Sequence, residues 1–212
     1  MTEINKDDPF GQCIIKVLKT FRIHSMLEIG SWDGLGSTSC IIEGLNDVKE
    51  KSLDCLEINK ERFSALLNNT EKYSWISCHN ESSISYKSLM YKNFEEVWNS
   101  PYNHLPKEYN PKEIVKGWFD RDSDELKKIE VGFLEKNNKF YDAVLIDGGE
   151  FVGYSEYTLL KSRTNFFILD DSFHAFKTSQ ITEELAEDPE WQCLAHGNVR
   201  NGFAIFKRKN LI

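Results

Sequence analysis

Cysteine, proline and long apolar stretches are scarce in this sequence. The five cysteines are scattered and none forms a CxxC pair, which argues against a disulfide framework or a structural zinc site. Five prolines and 12 glycines exclude the collagen-like and low-complexity classes. No stretch reaches the roughly 18 apolar residues of a membrane span, and the polar residues 1–9 do not resemble a signal peptide. We therefore expect a protein of the reducing cytoplasm.

Positive charge is also scarce. Lysine and arginine total 26 against 34 aspartates and glutamates, a formal net charge of −8. Proteins that grip a nucleic-acid backbone or an anionic membrane usually present a positive surface, so we expect neither as a partner. The chain has 212 residues, of which 40% are hydrophobic. This is the size of one domain with its own core, and we predict a single domain over 1–212.

Short apolar segments alternate with amphipathic ones along most of the chain. Predicted strands cover 25–29, 52–58, 73–78, 141–146, 166–169, 191–195 and 203–207, and predicted helices cover 10–21, 37–45, 60–68, 122–137 and 173–187. This alternation predicts a doubly wound α/β fold with a mostly parallel, seven-stranded sheet. The last two strands have no helix between them, so we expect one strand near the C-terminus to run antiparallel.

Residues 83–121 interrupt the alternation. They combine tryptophans, tyrosines and phenylalanines with three prolines, and this is too aromatic for a disordered linker. Two interpretations stay open. The segment is a packed helical insertion, or it forms a lid or substrate wall over the site, because surplus loops near strand ends often carry binding residues.

A glycine-rich loop follows the first predicted strand and opens the next helix. It reads Glu-Ile-Gly-Ser-Trp-Asp-Gly-Leu-Gly over residues 28–36. Glycines allow a sharp turn and a close approach of a ligand to the backbone amides. We expect Gly30, Ser31, Gly34 and Gly36 to contact that ligand and the carboxylate of Glu28 to face it.

Two ligand classes suit such a loop. Dinucleotides require G-x-G-x-x-G, and here Ser39 stands in the third glycine position. S-adenosylmethionine (SAM) has no pyrophosphate, but it carries a sulfonium, an ammonium and a ribose diol, all of which suit carboxylates. The full string E-x-G-x-x-x-G-x-G is present for this second class.

Over roughly residues 26–208, apart from the insertion, the chain resembles the class I (Rossmann-like) SAM-dependent methyltransferases. The resemblance implies that Glu57, the acid ending the second strand, binds the ribose hydroxyls. It also implies that Asn80, after the third strand, pairs with the adenine edge. Asp147, after the fourth strand, is expected to contact the cofactor as well.

Three carboxylates follow two further strands. Asp147 ends the strand 141–146, and Asp170 and Asp171 end the strand 166–169. Parallel strands end at one edge of the sheet, where ligands bind. Three carboxylates there repel one another unless a cation or a proton intervenes, and oxygen ligands suit Mg²⁺ or another divalent cation. The alternative is that Asp147 touches only the cofactor, while the pair caps the following helix.

This acidic pattern resembles the metal-dependent O-methyltransferases that act on sugars and other small molecules. The resemblance implies a divalent cation on Asp147, Asp170 and Asp171 that lowers the pKa of the acceptor hydroxyl. Those relatives end the strand Asp-Gly-Asp, whereas this chain reads Asp-Gly-Gly-Glu. We predict Glu150 as the general base, with His174 as the rival and Asp147 as a further catalytic group.

The leading hypothesis is a SAM-dependent O-methyltransferase of a small hydroxyl-bearing acceptor, such as a sugar, a capsule precursor or a natural-product precursor. The expected partner is this small molecule, and a homo-oligomer stays open. One alternative is an NAD(P)-dependent oxidoreductase or epimerase that uses the same glycine turn. Tyr157 and Lys161 have the Tyr-x-x-x-Lys spacing of such enzymes, but a Tyr–Lys pair at i, i+4 is common on helices. Another is a non-catalytic cofactor-binding module.

Overall fold

The computed structural model describes residues 4–209, which build one seven-stranded sheet in the order β3-β2-β1-β4-β5-β7-β6. The strands are β1 Ser25–Ile29, β2 Ser52–Leu56, β3 Ile76–His79, β4 Tyr141–Ile146, β5 Thr164–Asp170, β6 Trp191–Gly197 and β7 Phe203–Arg208. The pairs from β3 to β5 are parallel, whereas β7 is antiparallel to both β5 and β6. This confirms the predicted fold class and the antiparallel strand near the C-terminus.

Helices cover both faces of the sheet. They are α1 Pro9–Phe21, α2 Ser37–Gly44, α3 Lys60–Thr70, α4 Phe94–Trp98, α5 Lys112–Lys127, α6 Phe133–Lys136, α7 Gly153–Leu160 and α8 Ser179–Glu187, with 3₁₀ turns at Tyr86–Ser88 and Lys161–Arg163. Side-chain caps define the starts of three of them. Asp8 accepts from two amides of α1, Asn59 accepts from two amides of α3, and Asn93 accepts from one amide of α4. Within residues 4–209, none of these helices has the length and apolar character needed to cross a bilayer.

The central strands contribute side chains to two separate hydrophobic core layers, one on each face of the sheet. In β4, Ala143 and Leu145 pack on the layer under α1, α2 and α3, while Val144 and Ile146 pack on the layer under α6, α7 and α8. Successive side chains of a strand point to opposite faces, so a strand between two helical layers needs apolar residues at every position. The unbroken apolar runs of the sequence have this origin.

Two predicted helices have different bounds in the structure. The helix expected over 122–137 is α5, which already begins at Lys112, and α6 follows it as a separate short helix. The helix expected over 173–187 begins only at Ser179. Its first residues form a loop instead, because the backbone amides of Phe173 and His174 both donate to the carbonyl of Asn201.

The insertion has a small core of its own. Phe94, Val97, Val115 and Phe119 pack together and against Phe151 and Phe176, which follow β4 and β5 respectively. These contacts pack the helices of the segment against the residues that follow β4 and β5. They also set α5 beside the sheet edge where the strands end.

Candidate active site

A cavity of about 900 Å³ lies at the carboxyl ends of β1, β2, β4 and β5. Its volume is in the range of small-molecule sites. The predicted site residues that line it are Gly30, Ser31, Gly36, Glu57, Asp147, Glu150, Asp170 and Asp171. The remaining predicted residues, Glu28, Gly34, Asn80 and His174, lie outside this lining.

The loop after β1 turns sharply at Gly30, where φ is +89°. A Cβ atom there would lie 2.1 Å from the carbonyl oxygen of Asp147. Only glycine therefore lets the ends of β1 and β4 meet at this distance. Gly34 serves the turn differently, since its φ is +82° and a Cβ would approach Leu66 on α3. Gly30 therefore lines the cavity itself, whereas Gly34 lies outside the lining and lets the loop pack closely on α3.

The Glu28 carboxylate lies beneath this loop and not in the cavity. It is fully buried, with Oε1 accepting from Ser37 Oγ and Oε2 accepting from Thr38 Oγ1, both at 2.7 Å. Burial raises the pKa of Glu28, while the two hydroxyls oppose this. The expectation that Glu28 faces the ligand is therefore corrected. Its side chain joins β1 to the first turn of α2 and holds the loop in shape.

Glu57 does reach the cavity. Its Oε2 accepts from the backbone N–H of Trp32 at 3.0 Å, and its Oε1 accepts from that of Asn59 at 2.8 Å. Each carboxylate oxygen has a second lone pair and can accept a further donor from a ligand. Beside it, Ile58 is 51% exposed and offers an apolar surface to the cavity.

The side chain of Asn80, which was expected to pair with the adenine edge, bonds to the backbone instead. Its Nδ2 donates to the backbone carbonyls of Glu57 at 2.8 Å and Ile58 at 3.0 Å. The amide therefore fixes the chain just after β2 and does not point into the cavity. Asn80 acts on the ligand site through the position of Glu57, because it holds the backbone of that residue.

The acid trio comes together as predicted, and a lysine lies among its members. One carboxylate oxygen each from Asp147, Asp170 and Asp171 lies within 4.8 Å of the others. The Lys177 Nζ is 2.8 Å from Asp147 Oδ1, 2.5 Å from Asp171 Oδ2 and 3.8 Å from Asp170 Oδ2. Burial opposes protonation of Lys177, but the three carboxylates raise its pKa well above the ordinary value.

The connection between β6 and β7 supplies two further partners. Arg200 Nη2 lies 3.3 Å from Asp170 Oδ1, and Asn201 Nδ2 donates to Asp171 Oδ1 at 3.0 Å. Burial first, and then repulsion from Asp147, raise the pKa of Asp170 to about 8. The corner of the cavity formed by the three aspartates and Lys177 is called the acid corner below.

Of the two candidates for a general base, only Glu150 lines the cavity. Its Oε1 accepts from the backbone N–H of Phe176 at 2.6 Å, and burial raises its pKa. His174 is exposed, and its backbone amide is bonded to Asn201 on the far side of the loop. Of these two side chains, Glu150 is therefore the one that a molecule bound in the cavity can contact.

Sequence reasoning missed one buried acid of the cavity. Glu156 on α7 is fully buried and lines the cavity. Its Oε1 accepts from Ser83 Oγ, and Oε2 has no hydrogen-bond partner in the part of the chain described. Burial raises its pKa to about 7. One signal was available, since Glu156 is the single charged residue in the helix Gly153–Leu160.

The raised pKa of Glu156 predicts a pH-dependent stability. The folded protein holds this proton more tightly than the unfolded chain, so the free energy of unfolding falls as pH rises from about 4.5 to 7. The variant Glu156→Gln lacks this titrating group. Its free energy of unfolding, minus that of the wild type, should therefore be higher at pH 8 than at pH 5 by on the order of 2 kcal/mol. Urea unfolding at both pH values measures it.

The matched control for that experiment is Glu113→Gln on the exposed side of α5. The difference in the free energy of unfolding between this variant and the wild type should be the same at pH 5 and pH 8. If the two glutamine variants show equal pH dependence, the assignment of the titration to Glu156 is wrong.

Helix α5 forms a further part of the cavity wall. Its cavity-lining residues are Trp118, Arg121, Asp122, Glu125 and Leu126. Burial raises the pKa of Asp122. Sequence reasoning placed the boundary of the insertion at residue 121, which is in the middle of this helix. Trp118 and Arg121 belong to the segment for which a substrate wall stayed open, whereas the cavity-lining residues beyond 121 were missed.

No protein-family model and no curated protein matches the sequence. Solved structures do match. An O-methyltransferase from Bacillus cereus in complex with SAH, at 12% identity, aligns with a TM-score of 0.58 over 95% of this chain and 82% of that one. The O-methyltransferase TomG from Streptomyces achromogenes, involved in tomaymycin synthesis and solved with SAM, aligns at 10% identity with a TM-score of 0.58 over 94% and 79% of the two chains.

A third match, the N-methyltransferase NodS from Bradyrhizobium japonicum, has 10% identity and a TM-score of 0.52 over 96% of this chain and 98% of that one. Because both O- and N-methyltransferases share this architecture, the fold alone does not select the acceptor atom. At these identities the likeness establishes the fold, and the chemistry has to be argued from the cavity.

Proposed function

From the class I methyltransferase fold and the cavity at its sheet edge, we propose that the chain is a SAM-dependent O-methyltransferase of a small hydroxyl-bearing acceptor. One observation carries the proposal. A single cavity contains the glycine turn, the Glu57 carboxylate and the acid corner with Glu150. A cofactor part and a reaction part therefore lie side by side at the switch point of the sheet.

The cofactor part has the chemistry that SAM requires. Glu57 offers two carboxylate oxygens to a ribose diol, and exposed Ile58 offers an apolar face to the adenine. The loop at Gly30 and Ser31 leads directly from β1 into the cavity, which leaves room for the amino acid portion. The acidic lining suits a cofactor that carries a sulfonium and an ammonium.

The reaction part must orient the acceptor oxygen and remove its proton. When bound, SAM supplies a methyl group on a sulfonium, which is a good leaving group. The acceptor oxygen forms the new C–O bond as the C–S bond breaks, and its proton passes to Glu150. The raised pKa of Glu150 makes it a better proton acceptor than an exposed carboxylate.

The hypothesis also includes a divalent cation bound by the three aspartates. Three carboxylates within 4.8 Å match the oxygen donors that Mg²⁺ and similar ions use. However, Asp147 Oδ1 and Asp171 Oδ2 already face the Lys177 ammonium at 2.8 and 2.5 Å. A divalent ion could use those two oxygens only by displacing the lysine, so the arranged donors do not fit it.

The structure removes the Tyr–Lys pair from the oxidoreductase alternative. Tyr157 is 2% exposed and packs on Phe167 in the core, and neither it nor Lys161 lines the cavity. A Tyr–Lys pair that cannot reach the ligand cannot transfer a proton to it. This leaves the non-catalytic cofactor-binding module as the second candidate.

Ligand binding separates these functions. S-adenosylhomocysteine is expected to bind and to raise the unfolding temperature, with a stabilisation of about 3 kcal/mol at a concentration near 100 times its Kd. NAD at the same concentration should leave the temperature unchanged. Differential scanning calorimetry measures both, and stabilisation by NAD alone would refute the proposal. Methyl transfer from labelled SAM to a panel of hydroxyl acceptors then distinguishes an enzyme from a binding module.

A further inference from the structure

The loop between β5 and α8 brings the side chain of Lys177 into the acid corner. We infer that the Lys177 ammonium is the resident cation of this corner, that it occupies the position of a divalent ion, and that it contacts the acceptor oxygen during methyl transfer. The inference deepens the proposed function and rests on it for the last of these points.

The contacts of the ammonium leave one direction open. An ammonium has three N–H donors. Two of them are taken by Asp147 Oδ1 at 2.8 Å and Asp171 Oδ2 at 2.5 Å. The third carboxylate, from Asp170, is 3.8 Å away and beyond hydrogen-bond distance. Because Lys177 also lines the cavity, the remaining N–H is available to an oxygen of the acceptor.

The backbone of Lys177 is held in place on several sides. A Cβ on Gly153, the first residue of α7, would lie 2.3 Å from the Lys177 carbonyl oxygen. On one side of the lysine, the amide of Phe176 donates to Glu150, and on the other Thr178 Oγ1 donates to the carbonyl of Asp170 at 2.6 Å. A lysine only 8% exposed on such a backbone is pre-organised and is unlike a mobile surface lysine.

Charge balance in the corner agrees with this assignment. Lys177 and Arg200 face the three carboxylates, and Asn201 donates to the second oxygen of Asp171. Each of the three carboxylates therefore faces a cationic side chain of the protein itself, and Arg200 also lies 3.6 Å from Asp8. Buried carboxylates are stable next to such partners and costly without them.

The chemical role follows from the open N–H. As the acceptor oxygen loses its proton to Glu150 and bonds to the methyl carbon, the ammonium keeps its own proton and donates a hydrogen bond to that oxygen. A fixed cation beside a developing anion lowers the barrier, as a metal ion does in metal-dependent enzymes. No oxidant, reductant or further co-reactant is required.

Binding of Mn²⁺, a paramagnetic stand-in for Mg²⁺, tests the assignment. Electron paramagnetic resonance of the wild-type chain should show no saturable binding below about 1 mM. Lys177→Met removes the charge and frees Asp147 and Asp171, so it should bind Mn²⁺ at least about tenfold more tightly. The control is Lys116→Met, an exposed lysine on α5, which should behave as the wild type.

Two results would overturn the inference. One is tight Mn²⁺ binding by the wild type, a measurement that does not depend on whether any variant folds. The other is a folded Lys177→Met that binds Mn²⁺ no better than the wild type. Lys177→Arg retains the cation and should exclude Mn²⁺ as the wild type does. In a turnover assay, EDTA should leave the wild-type rate unchanged, while Lys177→Met should lose about 100-fold or more.

Failure of the proposed function gives a different pattern. In that case S-adenosylhomocysteine does not bind to the wild type, whereas the Mn²⁺ comparison between the wild type and Lys177→Met is unaffected. If S-adenosylhomocysteine binds equally to both proteins and Mn²⁺ binds tightly to the wild type, the proposed function stands and the inference about Lys177 falls.

Discussion

Replacing Glu57 with glutamine is expected to weaken S-adenosylhomocysteine binding by about 10- to 100-fold. Hydrogen bonds to a charged acceptor contribute about 1.5–3 kcal/mol each when the partner is otherwise left unpaired. Glu57 is the carboxylate that lines the cavity at the end of β2, and glutamine replaces one acceptor oxygen by a donor. Isothermal titration calorimetry with the wild type and the variant measures the change.

A cofactor analogue without the ribose 2′-hydroxyl separates a direct contact from a loop effect. Glu57 also accepts from the amides of Trp32 and Asn59, so its replacement could disturb the loops. With a direct contact, the analogue binds more weakly to the wild type but not to the variant, as in a double-mutant cycle. Equal losses in both proteins would show that Glu57 only shapes the loop. Glu61→Gln, exposed at the start of α3, is the matched control.

Gly30→Ala is expected to lower the free energy of unfolding by about 3 kcal/mol or more. Two costs combine at this position. The backbone has φ of +89°, which L side chains rarely adopt, and the new methyl would lie 2.1 Å from the Asp147 carbonyl oxygen. Because the strand ends must separate, cofactor binding should fall as well. Chemical denaturation together with calorimetry measures both effects.

The chain provides a glycine with the opposite expectation. Gly117 lies on the exposed side of α5, and a Cβ atom added to it would meet no atom of the described residues within 4 Å. Gly117→Ala should therefore stabilise the protein by roughly 0.5–1 kcal/mol through helix propensity. If Gly30→Ala proves as harmless as this control, the close approach of β1 and β4 is not what the loop requires.

Much of the framework could be predicted because it depends on local patterns. The strands Ser25–Ile29 and Tyr141–Ile146 have the predicted bounds, since an apolar run buried on both faces has little choice of structure. The meeting of Asp147 with Asp170 and Asp171 also followed from the sequence. Parallel neighbouring strands must end at the same edge, so acids at their ends become neighbours.

Side-chain direction could not be predicted in the same way. Glu28 and Asn80 lie at the expected ends of their strands, yet one is satisfied by hydroxyls of α2 and the other by backbone carbonyls after β2. The pattern of residues along one segment does not determine the hydrogen-bond partner of a polar side chain, because that partner is supplied by other helices, strands or loops. Both residues therefore support the cavity wall from behind.

By itself, the sequence determined the sheet, its antiparallel strand, the glycine turn and the set of acids at the strand ends, because spacing and apolar patterning decide these locally. Only the tertiary structure placed Lys177 among the three aspartates, Glu156 beneath the cavity and α5 along its wall. Residues 173–178, which include Lys177, are not part of α8, because the amides of Phe173 and His174 bond to Asn201 from the connection between β6 and β7. Contacts between segments distant in sequence thus decided which cation the acid corner holds.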